Sequence, residues 1–77
     1  MISCFIFIKA KAGFVEGIIK RLKHMQEVKE AWAVTGNIDI ITLVEGKDIT
    51  VVSKMILSKI HQLDGVERTA THIITPT

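Results

Sequence analysis

Apolar residues recur along this chain with two periods, and the changes from one to the other divide it into six segments. Residues 2–9 (ISCFIFIK) follow the period of two that puts successive strand side chains on opposite faces. Ile2, Cys4, Ile6 and Ile8 share one face, and Phe5 and Phe7 the other. After a short AKAG turn the spacing becomes helical over 14–25. Phe14, Val15, Ile18, Leu22 and Met25 fall together, with Glu16, Lys20, Arg21 and Lys23 outside that stripe. Glu16 early and the bases late suit the helix dipole. Gly17 costs this helix about 1 kcal/mol against alanine, which suggests a close approach of helix to sheet.

Alternation returns over 28–35 (VKEAWAVT), and Gly36-Asn37 predicts a two-residue turn with positive φ. Residues 38–45 (IDIITLVE) then run back antiparallel. Asp48 is placed to cap a second helix in which Ile49, Val52, Ile56, Ile60 and Leu63 recur at helical spacing, with Lys54 and Ser58 outside. Gly65, after Asp64, is the expected left-handed stop. Residues 66–75 form the last strand before Pro76.

The order is β-α-β-β-α-β, an α+β arrangement. Right-handed crossovers leave few topologies for it, and the usual one places each half's spare strand between the other half's pair. The prediction is a four-stranded antiparallel sheet in the order 4-1-3-2 with both helices on one face. The uncovered face should then be polar. Instead Phe5, Phe7, Trp32, Ile41 and Leu43 point there. Scattered apolar residues are ordinary on a surface, but three adjacent strands contributing together predict a patch larger than monomers usually expose. The expected cover is a second copy of the chain.

Composition strengthens that expectation. The chain has 77 residues, 48% of them hydrophobic, and its single cysteine, Cys4, excludes an internal disulfide brace. A core of this size is marginal without association. A lone cysteine also suits a reducing, cytoplasmic setting. The net charge of +2 argues against a nucleic-acid surface, and the Lys20, Arg21, Lys23, His24 cluster reads as a basic helix end. The apolar start is too short for a signal core or a membrane span.

Catalytic constellations are hard to find. His24, His61 and His72 are far apart, and two of them read as cationic helix ends; Cys4 lies in an apolar strand, and no metal-binding spacing appears. No cofactor, metal site or enzymatic activity is expected, although small enzymes also use this architecture. The segment Val34-Thr35-Gly36-Asn37-Ile38-Asp39 is more suggestive. Backbone N–H groups at the turn could take a carboxylate and Asp39 an ammonium. Asp39 could equally bond only to its own turn.

These segments resemble the effector-binding domain of the Lrp/AsnC (feast/famine) regulators, the domain of regulation of amino-acid metabolism. The family's V-x-G-x-x-D hairpin stands here as Val34 to Asp39. Its P/D-G-V-x-x-T-x-T start of the fourth strand stands as Asp64-Gly65-Val66-Glu67-Arg68-Thr69-Ala70-Thr71. The resemblance covers essentially the whole chain. It implies a ferredoxin-like domain that dimerises through its sheet, assembles into octamer-like rings, and binds an amino-acid effector between dimers. Carried over, Thr35, Gly36, Asn37 and Asp39 line one side of that site, and Thr69 and Thr71 the other. Asn37 and Ile38 replace an acidic residue and an aromatic usual in the family. Full-length members carry a helix-turn-helix before this domain, whereas Met1 opens the first strand here. The resemblance thus implies a stand-alone amino-acid-sensing and oligomerisation module that does not bind DNA or membrane. It would act on transcription indirectly, alongside full-length regulators. The alternatives are a self-association domain without ligand, or a small enzyme.

Overall fold

A computed structural model describes residues 1–76. Strand β1 (Ile2–Ala10) leads to α1 (Val15–Lys23), β2 (Val28–Ala33), β3 (Ile40–Gly46), α2 (Ile49–Met55) and β4 (Val66–Ile73). A π-helical turn, Ile56–Ile60, continues α2. All neighbouring strands are antiparallel, in the order β2-β3-β1-β4, which is the predicted order read from the other edge.

Alternation in β1 divides the molecule. Cys4, Ile6, Ile8 and Ala10 are buried in one cluster with Ile18 and Leu22 of α1 and with Val52, Met55 and Ile60 of the second helical segment. Both helices therefore cover the same face. Thr42 is the one polar side chain in the buried set among the described residues. Its hydroxyl donates to the Glu30 carbonyl at 2.7 Å, where the register of β2 slips between Val28 and Glu30. The slip leaves a ladder acceptor, and the threonine satisfies it.

Several local expectations shift. A two-residue hairpin of the favoured type needs positive φ at both central residues. Gly36 provides it, at +114°, but no non-glycine residue among those described has positive φ. The strands therefore end earlier, at Ala33 and Ile40, and residues 34–39 form a wider loop closed by Val34 N–H to the Asp39 carbonyl at 2.9 Å. α1 is shorter than 14–25; its last turn closes through His24 and Met25 onto the carbonyls of Arg21 and Leu22. In the second helix Asp48 caps as expected, its Oδ1 accepting from Val51 N–H at 3.0 Å. Beyond Met55 the bonding widens, with His61 N–H donating to the Ile56 carbonyl at 2.9 Å. Ile49, expected on the buried stripe, is exposed, and Met55 is buried.

The close helix–sheet approach is at another glycine. A Cβ on Gly17 would meet nothing within 4 Å, whereas one on Gly46 would stand 2.6 Å from Val52 Cγ2. The second helical segment ends at Ile60 with His61 as its cap, so Gly65 is not its stop. The φ of +90° at Gly65 serves the turn closed by Val66 N–H to the Leu63 carbonyl at 3.2 Å, and the residue also lies under the Phe14 ring, so two separate constraints converge on it.

Candidate functional site

Three regions collect the residues singled out by sequence. The first is the 34–39 loop. Thr35, Gly36 and Asn37 are exposed, while Asp39 is half-buried against the end of β1. Asp39 N–H donates to the Ile8 carbonyl at 3.0 Å, and Asp39 Oδ2 accepts from Ala10 N–H at 2.8 Å. Lys9 Nζ lies 3.4 Å from the same oxygen. The Ala10 amide, helped by Lys9, holds the Asp39 carboxyl below its ordinary range. The carboxylate is thus charged and fixed in place, and it stiffens the loop that carries Gly36.

The second region is a groove of about 420 Å³ between the second helical segment and β4. Thr69 and Thr71, two residues apart on β4, both line it, opposite Ser53 and His61. His61 Nε2 and Thr69 Oγ1 are hydrogen-bonded at 2.7 Å, with the donor set by the ring tautomer. The sequence marked His61 only as a basic helix end. Its signal lay in the eight-residue separation from Thr69 across the Gly65 turn, legible only once helix and strand are known to be antiparallel. No residue of the 34–39 loop is among those lining the groove.

The third region is the uncovered face of the sheet. Strand registers place its residues in two rows: Trp32, Ile41, Phe7 and Ala70 across the sheet, then Glu30, Leu43, Phe5 and His72 beside them. Phe5, Phe7, Ile41 and Leu43 are half-buried by their neighbours, and Trp32 is exposed. The His72 ring packs against Phe7, their centroids 4.7 Å apart. Charged groups frame these rows. Lys9 pairs with Arg68 in register at one end, and Lys29, Ser3 and Glu45 interact at the other, at 3.8 Å and 3.3 Å. An apolar centre within a polar frame is the composition of a protein–protein contact.

Among the described residues, no three His, Cys, Asp or Glu side chains gather as a metal site would require, and no helix is long and apolar enough to cross a membrane. The family model for the Lrp/AsnC ligand binding domain matches residues 3–77. The chain belongs to the Lrp/AsnC family. An HTH-type transcriptional regulator of Pyrococcus horikoshii, PH0140, is 34% identical over 74 residues, covering 96% of this chain and 47% of that protein. The chain thus spans about half the length of the curated relatives it matches. The solved structure of PHS023, also from Pyrococcus horikoshii, superposes with a TM-score of 0.93 at 31% identity, covering 100% of this chain and 93% of that one. The transcriptional regulator NMB0573 of Neisseria meningitidis, solved as a complex with L-Met, shares the fold with a TM-score of 0.87. Its identity is 18%, over 97% of this chain and 50% of that one. A ligand-binding domain among Lrp/AsnC regulators points to regulation rather than catalysis.

Proposed function

We propose that this domain binds an amino-acid effector between copies of itself and couples that binding to assembly in transcriptional regulation. The observation that carries the reading is the separation of its two motifs. The 34–39 loop flanks β1 on the β3 side, at Ile8 and Ala10, while Thr69 pairs with Ile8 on the β4 side. Two strand spacings, about 10 Å, divide them. The groove that holds Thr69 and Thr71 includes no loop residue, and the small cavity of about 210 Å³ that Thr69 shares with the loop reaches only Ile38. In this reading one copy therefore supplies the loop amides and Asp39, and another the threonines.

In that composite site the exposed amides around Gly36 take the carboxylate, with Thr35 and Asn37 beside them. Asp39 faces the ammonium, and Thr69 and Thr71 contact the ligand from the other copy. The uncovered sheet face, through Phe5, Phe7, Trp32, Ile41 and Leu43, joins copies into the dimers from which ring-like assemblies grow. NMB0573, with its bound L-Met, supports the ligand class. Work in the cytoplasm and mixed assembly with longer Lrp/AsnC regulators belong to the same reading. So does action on DNA through such partners, since the bases of this chain are spread over several elements.

One observation favours a second reading. The Asp39 carboxylate is already engaged by Ala10 N–H and Lys9, as it would be in a self-association domain without ligand. A thermal-shift screen against the amino acids separates the two. A ligand at 100 times its Kd stabilises by about 2.7 kcal/mol; a flat response to every amino acid would leave self-association alone.

A further inference from the structure

Two features of α1 serve nothing described so far. Gly17 weakens the middle of the helix, yet a Cβ there would meet nothing within 4 Å, so no contact among the described residues calls for glycine. Lys20 and Arg21 suit the helix dipole, but neither joins a salt bridge among the described residues. Both features meet in one groove of about 430 Å³ between α1 and the turn at Leu63 and Asp64. Ile18 and Leu63, both buried, are its apolar floor. Phe14 is its aromatic wall, and the ring is held in place because it occupies the space that a Cβ on Gly65 would need. Phe14, Gly17, Lys20 and Arg21 are all exposed, so the groove is an open trough. A chain passing over it fits better than a small ligand, which needs most of its surface enclosed. The trough shares no residue with the 34–39 loop, with the groove at Thr69 and Thr71, or with the apolar rows of the uncovered face.

We propose that this trough docks an acidic segment of a partner protein, one that offers a large apolar residue among Asp or Glu. The apolar residue enters beside Phe14, against the bare helix backbone at Gly17, and its acidic neighbours meet Lys20 and Arg21. An aromatic residue and an arginine around an apolar floor are the groups enriched at the centre of protein contacts. Charge selects the kind of partner. Two cations line the helical wall and Lys23 continues them, whereas Asp64, the one acid in the lining, stands on the loop side. A basic segment would meet like charge along the helix, which suppresses binding.

Fluorescence anisotropy with a labelled peptide holding one phenylalanine among glutamates tests this, beside counterparts with lysine for glutamate and alanine for phenylalanine. The glutamate peptide should bind the purified chain saturably, and each counterpart at least about tenfold more weakly, as for loss of an anchor residue. Gly17→Leu fills the trough from a position whose Cβ meets nothing and favours the helix. It should keep or raise Tm, leave assembly unchanged, and lower affinity for the glutamate peptide by at least about tenfold. Arg21→Glu, on the exposed rim, should narrow or reverse the preference for glutamate over lysine. Absent binding of the glutamate peptide, equal binding of the three peptides, full affinity in Gly17→Leu, or an unchanged preference in Arg21→Glu would each overturn the proposal. So would dissociation of the assembly in Gly17→Leu, which would put a second copy of this chain in the trough.

Discussion

The two faces of the sheet use similar residues and reach different ends. On the helix side Cys4, Ile6, Ile8, Ile40 and Val44 are fully buried. On the other, Phe5, Phe7, Ile41 and Leu43 are as apolar and sit in the same strands, yet remain half-exposed because the described residues form no third layer over them. Hydrophobicity alone does not distinguish them. The first face is covered by its own chain, which makes it a determinant of folding. The second has no such cover among the described residues, and in the function proposed above it is the determinant of assembly.

The largest expected effect follows from damaging the second face. Leu43→Lys puts an unpaired charge at the centre of the apolar rows. Light scattering after size exclusion should show the assembly falling to the 8.6 kDa monomer, and a wild-type chain that is itself monomeric would erase the distinction between the faces. Damage to the first face should act through stability instead. Ile6→Ala removes a fully buried side chain and should lower the unfolding free energy by about 2–5 kcal/mol, read from urea titration at fixed protein concentration.

The glycines sharpen the comparison. Gly46→Ala crowds Val52 on the covered face and should cost about 1–3 kcal/mol by overpacking. Gly17→Ala projects into open space and should stabilise the helix by up to about 1 kcal/mol, raising Tm. If Gly17→Ala instead disrupts assembly, a partner approaches α1 closely there.

The smallest effect is in acid. Glu27, bonded by its own backbone N–H and by Lys59 at 3.1 Å, and Asp39, bonded by Ala10 N–H and Lys9, both have lowered pKa values. Carboxyls with folded values below their unfolded ones contribute stability that is complete above about pH 5 and lost as pH falls through the lowered folded values. The urea midpoint should therefore decline below about pH 4, and less steeply in Asp39→Asn.

Much of this architecture was legible because it depends on local period and local stereochemistry. The alternation in β1 and the cap at Asp48 each act within a few residues, whereas Gly65, expected to stop the helix, shapes the turn into β4 after the helix has already ended at Ile60. What escaped depends on long-range contact. Asp39 leaves its strand because Ile8 and Ala10, some thirty residues earlier in the chain, take its amide and carboxylate. Gly17 and Gly46 look alike in sequence, and only the path of Val52 tells them apart. The candidate site divides in the same way. Thr69 and Thr71 could be placed on one face by counting, whereas His61, Ile49 and Leu57 joined them only when the helix was laid along β4. The widening of the helix at Ile56–Ile60 has no signal in the apolar spacing, which suits an ordinary helix equally well.

Cys4 turns the covered face into a clock. Its thiol is fully buried between the sheet and the helices, and burial pushes its pKa up, so the reactive thiolate is scarce in the folded chain. A thiol reagent in solution can reach it only when the layers part. The rate at which this one sulfur is labelled therefore counts opening events of the whole domain, without a probe having to be introduced. Anything that braces the fold, whether a second copy on the far face or a ligand at its edge, slows that count from a distance.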